Sequence, residues 1–164
     1  MLFRSPVLFC EPLRGYRLIR DDVPDEDYTV PLGQARVVRE GEHLMIVAWS
    51  AAVVIAEKAA ELAAAEGYSV GVLDLRSLVP LDTEALREVV AGCGRALVVH
   101  EATLTAGFGA EVVATIQQEA FFSLEAPIGR VTAPDTPYPI ASVEEYYVPS
   151  VERVLAGVRA VLEA

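Results

Sequence analysis

RALVVHEATLTAGFGAE, Arg95 to Glu111, is the stretch from which the fold can be read. Ala96 to Val99 is a short apolar run ending in two valines, the composition of a buried strand, and a helix start follows from Gly107 onward. In an open parallel sheet, ligands and partners meet the domain beyond the carboxyl ends of the strands. His100, Glu101, Thr103 and Thr105 therefore fall at the edge where such a domain does its work.

Outward from this stretch, the same alternation repeats. Ala35–Arg39 and Leu44–Ala48 read as strands joined through Gly41 in a hairpin. Ser50 then caps a helix to about Glu66, with Ala52, Ile55, Ala59 and Leu62 on its apolar face and Gly67 as a left-handed stop. Val70–Leu75 is a third strand, and Asp74 and Arg76 share a face there, where a carboxylate and a guanidinium most simply pair. Pro80 and Asp82 open a helix to about Ala91, closed by Gly92 and Gly94. Gly109–Phe121 is the next helix, with Val113, Ile116 and Ala120 inward, and Ile128–Thr132 the fifth strand. After a proline-rich loop with Tyr138, Tyr146 and Tyr147, Ser150 caps a last helix striped with Val151, Val154, Leu155, Val158, Val161 and Leu162. Strands alternating with helices of this length predict an α/β fold. Its form is a three-layer α/β/α sandwich around a five-stranded, mostly parallel sheet with one antiparallel edge strand.

The region before Gly33 is different. Val7–Phe9 has the composition of a strand with nothing before it to pair with, and Met1–Pro12 reads as a chain cut open. Leu13–Pro31 carries the acidic run Asp21, Asp22, Asp25, Glu26 and Asp27 between prolines. Residues 1–33 are therefore expected to be a linker or arm, and 34–164 the folded domain.

Composition narrows the function. Twenty-four acidic against thirteen basic residues give a formal charge of −11, which repels nucleic acid and anionic membranes. The apolar window Leu44–Ala56 is far shorter than the roughly 20 residues of a bilayer span. Neither a signal peptide nor a disulfide framework is expected: MLFR runs directly into Ser5 and Pro6, and Cys10 and Cys93 stand far apart. A cytoplasmic location follows. The hydrophobic fraction of 53%, with a mean hydropathy of +0.37, is high for a small domain. Either a buried parallel sheet or apolar surface meant for another subunit accounts for it.

Chemistry-bearing patterns are sparse. His100 and Glu101 are candidates for an acid/base pair, but neighbours on a strand point to opposite faces, so a loop-fixing hydrogen bond is the better expectation. Gly107 and Gly109 suggest a phosphate loop, yet Val112 stands where a dinucleotide fingerprint needs a third small residue, and an ordinary glycine-permitted turn is expected. No metal-ligand spacing, nucleophile elbow or Walker loop appears. Catalytic, cofactor and metal residues are accordingly expected to be absent from this chain.

VVHEATLTAGFGAEV resembles the corresponding segment of the β subunit of thiamine-diphosphate-dependent 2-oxo acid dehydrogenases. PVLFCEPLRGYR (Pro6–Arg17), VPLGQARVVREG (Val30–Gly41), VLDLRSLVPLD (Val72–Asp82) and LEAPIGRVTAPDTPYP (Leu124–Pro139) resemble other segments of that subunit, in order. The resemblance is to its C-terminal, transketolase-like half. It implies that thiamine diphosphate and magnesium belong to the complete enzyme, with the activating glutamate on an N-terminal domain that nothing here matches. It implies an α2β2 assembly with an α subunit and a second β subunit. It also implies a docking surface for the acyltransferase core, to which Glu125 and the chain end at Ala164 would contribute. VAWS and TLT lean towards branched-chain substrates and TAPDTPYP towards pyruvate, while Thr103 and Ala106 replace a proline and a glycine frequent in the family. The expected role is an assembly and docking domain, inactive alone. The alternative is a free-standing ligand-binding α/β module, since fold does not fix function.

Overall fold

The computed structural model describes residues 6–12, 15–18, 20 and 22–164, without the side chains of residues 17 and 18. One five-stranded sheet is formed by β1 (Arg36–Arg39), β2 (Leu44–Ala48), β3 (Val70–Asp74), β4 (Ala96–Thr103) and β5 (Gly129–Ala133), in the order β1-β3-β2-β4-β5. β2, β3, β4 and β5 pair in parallel, and β1 lies antiparallel on the outer side of β3. The helices are α1 (Gly15–Leu18), α2 (Ala52–Ala65), α3 (Thr83–Cys93), α4 (Gly109–Ala120), α5 (Glu144–Tyr147) and α6 (Val151–Leu162).

The three layers follow from the side-chain alternation of the strands. On one face Leu44, Ile46, Val70, Val72, Leu97 and Val99 meet α2 and α6; on the other Met45, Val47, Leu73, Ala96 and Val98 meet α3 and α4. All five residues of β2 are buried, which fits a central strand covered on both sides. Burying each of its larger side chains contributes about 1.5–3 kcal/mol. The antiparallel edge strand is present as expected, but its pairing differs. β1 and β2 form no hairpin, because β3 lies between them. Their link crosses the start of β3 through a glycine contact: a Cβ on Gly41 would sit 1.9 Å from the backbone N of Gly71. The backbone N–H groups of Glu42 and His43 donate to the Ser69 carbonyl at the same crossing.

Several local expectations hold and others are corrected. Asp82 and Ser150 cap α3 and α6 by accepting from the N–H groups of Ala85 and Arg153. Gly67 and Gly94 adopt left-handed φ values of 91° and 70° where α2 and α3 end, whereas Gly92 lies inside α3. Ser50 does not cap α2: its own φ is +57°, and the helix begins behind Ala51 without a side-chain cap. The apolar face of α2 holds Ala52 and Ala59 buried and Ile55 half-buried as expected, and extends over Val53, Ala56, Ala60 and Ala63, whereas Leu62 is exposed. Alanines there let α2 lie close to α6 and the sheet. Arg76 does not form an ion pair with Asp74; its backbone N–H donates to that carboxylate. Val7–Phe9 is exposed and forms no strand. Part of the expected arm, including Asp21 of the acidic run, lies outside the described residues.

Candidate functional site

The carboxyl edge of the parallel strands concentrates the unusual features. β4 runs past the expected Val99 to Thr103, with a register shift between Val99 and Thr103, so His100 and Glu101 sit in an irregular strand extension. The side chains diverge, as strand geometry requires. His100 turns inward, 1% exposed, and stacks on Trp49 at 5.0 Å with an interplanar angle of 11°; Phe108 meets the other edge of Trp49 in a T at 6.0 Å. Glu101 faces the α2/α6 side, where it lines a pocket of about 380 Å³ with Val54, Ile55, Val148 and Ser150. The two groups do not converge on a common point, so they do not constitute an acid/base pair.

His100 also does not fix its loop by hydrogen bonding. Both ring nitrogens are buried and find no hydrogen-bond partner. Burial, with the Arg130 charge as the lesser cause, pushes the imidazole pKa below its ordinary value, so the ring is held neutral. A neutral imidazole still carries one N–H, and leaving it unpaired costs about 1–3 kcal/mol. What holds the loop is packing. A Cβ on Gly109 would lie 2.2 Å from Nε2 of His100, and one on Gly107 would lie 2.7 Å from Cε1 and 2.2 Å from the Thr103 carbonyl oxygen. The left-handed residue of the turn is Ala106, with φ +60°, not either glycine. Gly109 is therefore required by the ring beneath it, and Gly107 by the Thr103 carbonyl of its own turn as well as by the ring.

Strain gathers at the same edge. Ser50, Arg76 and Ala106 follow β2, β3 and β4 respectively, and all three are non-glycine residues at positive φ. Each costs on the order of 1–3 kcal/mol, and such residues cluster where a fold meets its ligand or partner. A tether that spacing alone does not reveal completes the loop: Asp135 accepts from the Thr105 backbone N–H at 2.8 Å and from its hydroxyl at 2.6 Å. Those hydrogen bonds hold the Asp135 carboxyl below its usual range. Among the described residues, no group of three acidic, histidine or cysteine side chains is placed to hold a metal ion. The imidazole fills the hollow under the Gly107–Gly109 turn, and nothing there cradles a diphosphate.

Glu125 lies at the opposite end of the sheet. Its backbone N–H donates to the Gly94 carbonyl, and its carboxylate pairs with Arg95 at 2.7 Å. The C-terminal turn of α6 reaches the same end, since Val161 packs where a side chain on Gly129 would stand. Ala164 follows that turn and is exposed. Phe121 and Phe122 emerge from α4 just ahead of Glu125, Phe122 98% exposed. Cys93 is buried, its thiol donating to the Val89 carbonyl, and no disulfide links it to the exposed Cys10.

This three-layer sheet with one antiparallel edge strand and a packed carboxyl edge defines the class. Residues 33–154 match the family model described as the transketolase C-terminal domain, and the chain belongs to that family. Within it, the curated relatives are β subunits of 2-oxo acid dehydrogenases. The chain is 43% identical over 155 residues to "2-oxoisovalerate dehydrogenase subunit beta 2, mitochondrial" of Arabidopsis thaliana, covering 94% of this chain and 43% of that one. It is 42% identical over 159 residues to "Pyruvate dehydrogenase E1 component subunit beta" of Staphylococcus aureus, covering 97% and 49%. The chain thus spans about half the length of the curated relatives it matches. Among solved structures, "Split gene transketolase, inactive beta4 tetramer" superposes with a TM-score of 0.74 at 27% identity, over 87% of this chain and 46% of that one. Among the described residues, no helix is long and apolar enough to cross a membrane.

Proposed function

We propose that residues 34–164 are the assembly and docking domain of the β subunit of a 2-oxo acid dehydrogenase, with residues 1–33 as the arm that leads into it. The observation that carries this is the combination of 43% identity over 94% of the chain with coverage of only 43% of the relative. Thiamine diphosphate and magnesium, and the oxidative decarboxylation of a branched-chain 2-oxo acid or pyruvate, belong to the whole enzyme. In support, Phe122, Tyr138, Ile140 and Tyr146 expose large apolar surfaces of the kind that interface cores use. The α subunit and a second β subunit are the partners, and the acyltransferase core docks at the end of the sheet that bears Glu125 and Ala164. The charge of −11 disfavours nucleic acid and anionic membranes as partners. The compartment is the cytoplasm, or the mitochondrion that the plant relative's name prints.

The solved relative named as an inactive β4 tetramer is a precedent for a subunit that folds and self-associates without activity. The 164-residue chain alone, supplied with thiamine diphosphate and magnesium, is expected to release no carbon dioxide from 2-oxoisovalerate or pyruvate. Adding the α subunit and a β-subunit N-terminal half should restore release. Activity of the chain alone would overturn the reading, and so would reconstitution that proceeds equally well without this chain.

A further inference from the structure

We propose that the outer edge of β5 carries an oxyanion-binding pocket, built on Arg130 and Arg153 and suited to a small organic acid or phosphate ester with an apolar body. The two guanidiniums line one open pocket of about 400 Å³, together with Leu104, Ala133 and Asp135. That volume lies within the ordinary range for small-molecule sites, which combine apolar walls with a few fixed polar groups.

Backbone carbonyls, rather than carboxylate partners in hydrogen-bond contact, hold the two guanidiniums of this pocket in place. Arg130 donates to the Leu104 carbonyl at 3.1 Å, and Arg153 donates to the carbonyls of Val148, at 3.2 Å, and Thr132. Neither guanidinium forms an ion pair with a carboxylate among the described residues, although the chain has twenty-four acidic side chains. By contrast, Arg87, Arg95 and Arg159 all pair with glutamates. The one carboxylate on the rim, Asp135, is turned to Thr105 by two hydrogen bonds and stays anionic, within electrostatic reach of Arg130, so that two guanidiniums face one carboxylate and the pocket keeps a net positive charge. Arg153 also stands in the first turn of α6, where the helix dipole is positive and a cation is disfavoured. Two forked donors anchored by carbonyls, each with N–H groups to spare, form a receptor for a bidentate oxyanion. β5 is the outermost strand on this side, and Arg153 and Ala156 of α6 complete the lining.

The test is titration of the 164-residue chain with inorganic phosphate and, separately, with 3-methylbutanoate, followed by calorimetry and amide chemical shifts. Saturable binding is expected, with shifts centred on Thr132, Ala133 and Ala156. Phosphate binding alone would mark the ligand as a phosphate ester, and 3-methylbutanoate binding alone as an organic acid. Arg130→Gln should weaken binding by about tenfold, and Arg153→Lys, which keeps the charge but loses the fork, should weaken it less. Arg159→Gln, whose guanidinium already pairs with Glu66, should leave it unchanged. The proposal is overturned if neither probe saturates, if the shifts centre elsewhere, or if Arg130→Gln costs less than about threefold.

Discussion

The two ends of the parallel strands are built on opposite principles. At the amino end, backbone strain is absent from the turn and most polar groups are matched: Gly94 takes the left-handed turn that suits it, its carbonyl accepts from Glu125, and Glu125 pairs with Arg95, whose buried Nε is the exception. At the carboxyl end, Ser50, Arg76 and Ala106 occupy a backbone region that favours glycine, and His100 is buried with both nitrogens unpaired. A fold places such mismatches where another requirement outweighs local stability. The carboxyl edge is thus where the backbone strain of this domain is concentrated.

The sharpest way to probe this contrast is with one glycine substitution at each end. Gly109→Ala would push a methyl group into the buried imidazole of His100 and against Val98 Cγ1, 3.3 Å away. Overpacking of this kind costs about 1–3 kcal/mol, so melting should fall by several degrees. Gly92→Ala adds a methyl inside α3 with nothing within 4 Å. It should stabilise by about 0.5–1 kcal/mol through helix propensity alone. Equal effects in thermal unfolding would erase the distinction between the ends.

His100 supplies the next largest effect, and its sign can be worked out. The folded protein holds the imidazole pKa below its ordinary value of 6.5. Above that pH both states are neutral, and the group has no influence. Below it, the unfolded chain takes up a proton that the folded chain refuses, so stability falls as pH drops through 6.5. The slope from this one group is at most about 1.4 kcal/mol per pH unit. His100→Leu removes both the titration and the unpaired donor. Denaturant midpoints from pH 7.5 to 5 should show a shallower decline in the variant than in the wild type. Parallel curves would mean that the ring is solvated.

The sequence revealed these ends unequally. Periodicity placed the five strands and the long helices because that pattern is local, and Asp82 and Ser150 announce α3 and α6 within three residues, whereas the cap expected of Ser50 on α2 did not form. The partner of β1 was not legible, since it depends on Gly41 meeting Gly71, thirty residues away in the chain. For the same reason the pairing of Glu125 with Arg95, thirty residues earlier in the chain, was not legible. Strand alternation correctly sent His100 and Glu101 to opposite faces. It could not show the depth of His100, which is set by Trp49 arriving from β2. Thr105 and Asp135 belong to different loops and carried no shared signal.

The smallest expected effect tests the amino end. The Arg95–Glu125 pair is partly exposed, with the arginine side chain 28% and the glutamate 61% accessible. Such pairs contribute about 0.2–1 kcal/mol and weaken with salt. The two partners are not equivalent, however, because Nε of Arg95 is buried without a hydrogen bond. Glu125→Gln leaves that guanidinium half-buried and uncompensated, whereas losing Arg95 releases Glu125 to water. Glu125→Gln should therefore fall at the upper end of the range. In a double-mutant cycle with Arg95→Met, most of its cost should vanish once Arg95 is gone. If instead the costs simply add, the pair is not coupled, and Glu125 is a solvated charge free to meet a basic partner. In that case Glu125→Lys should abolish the proposed docking of the acyltransferase core without disturbing the fold. If the pair is coupled, docking must first compete Glu125 away from Arg95, and the same substitution should weaken binding only modestly, with a cost that shrinks as ionic strength rises.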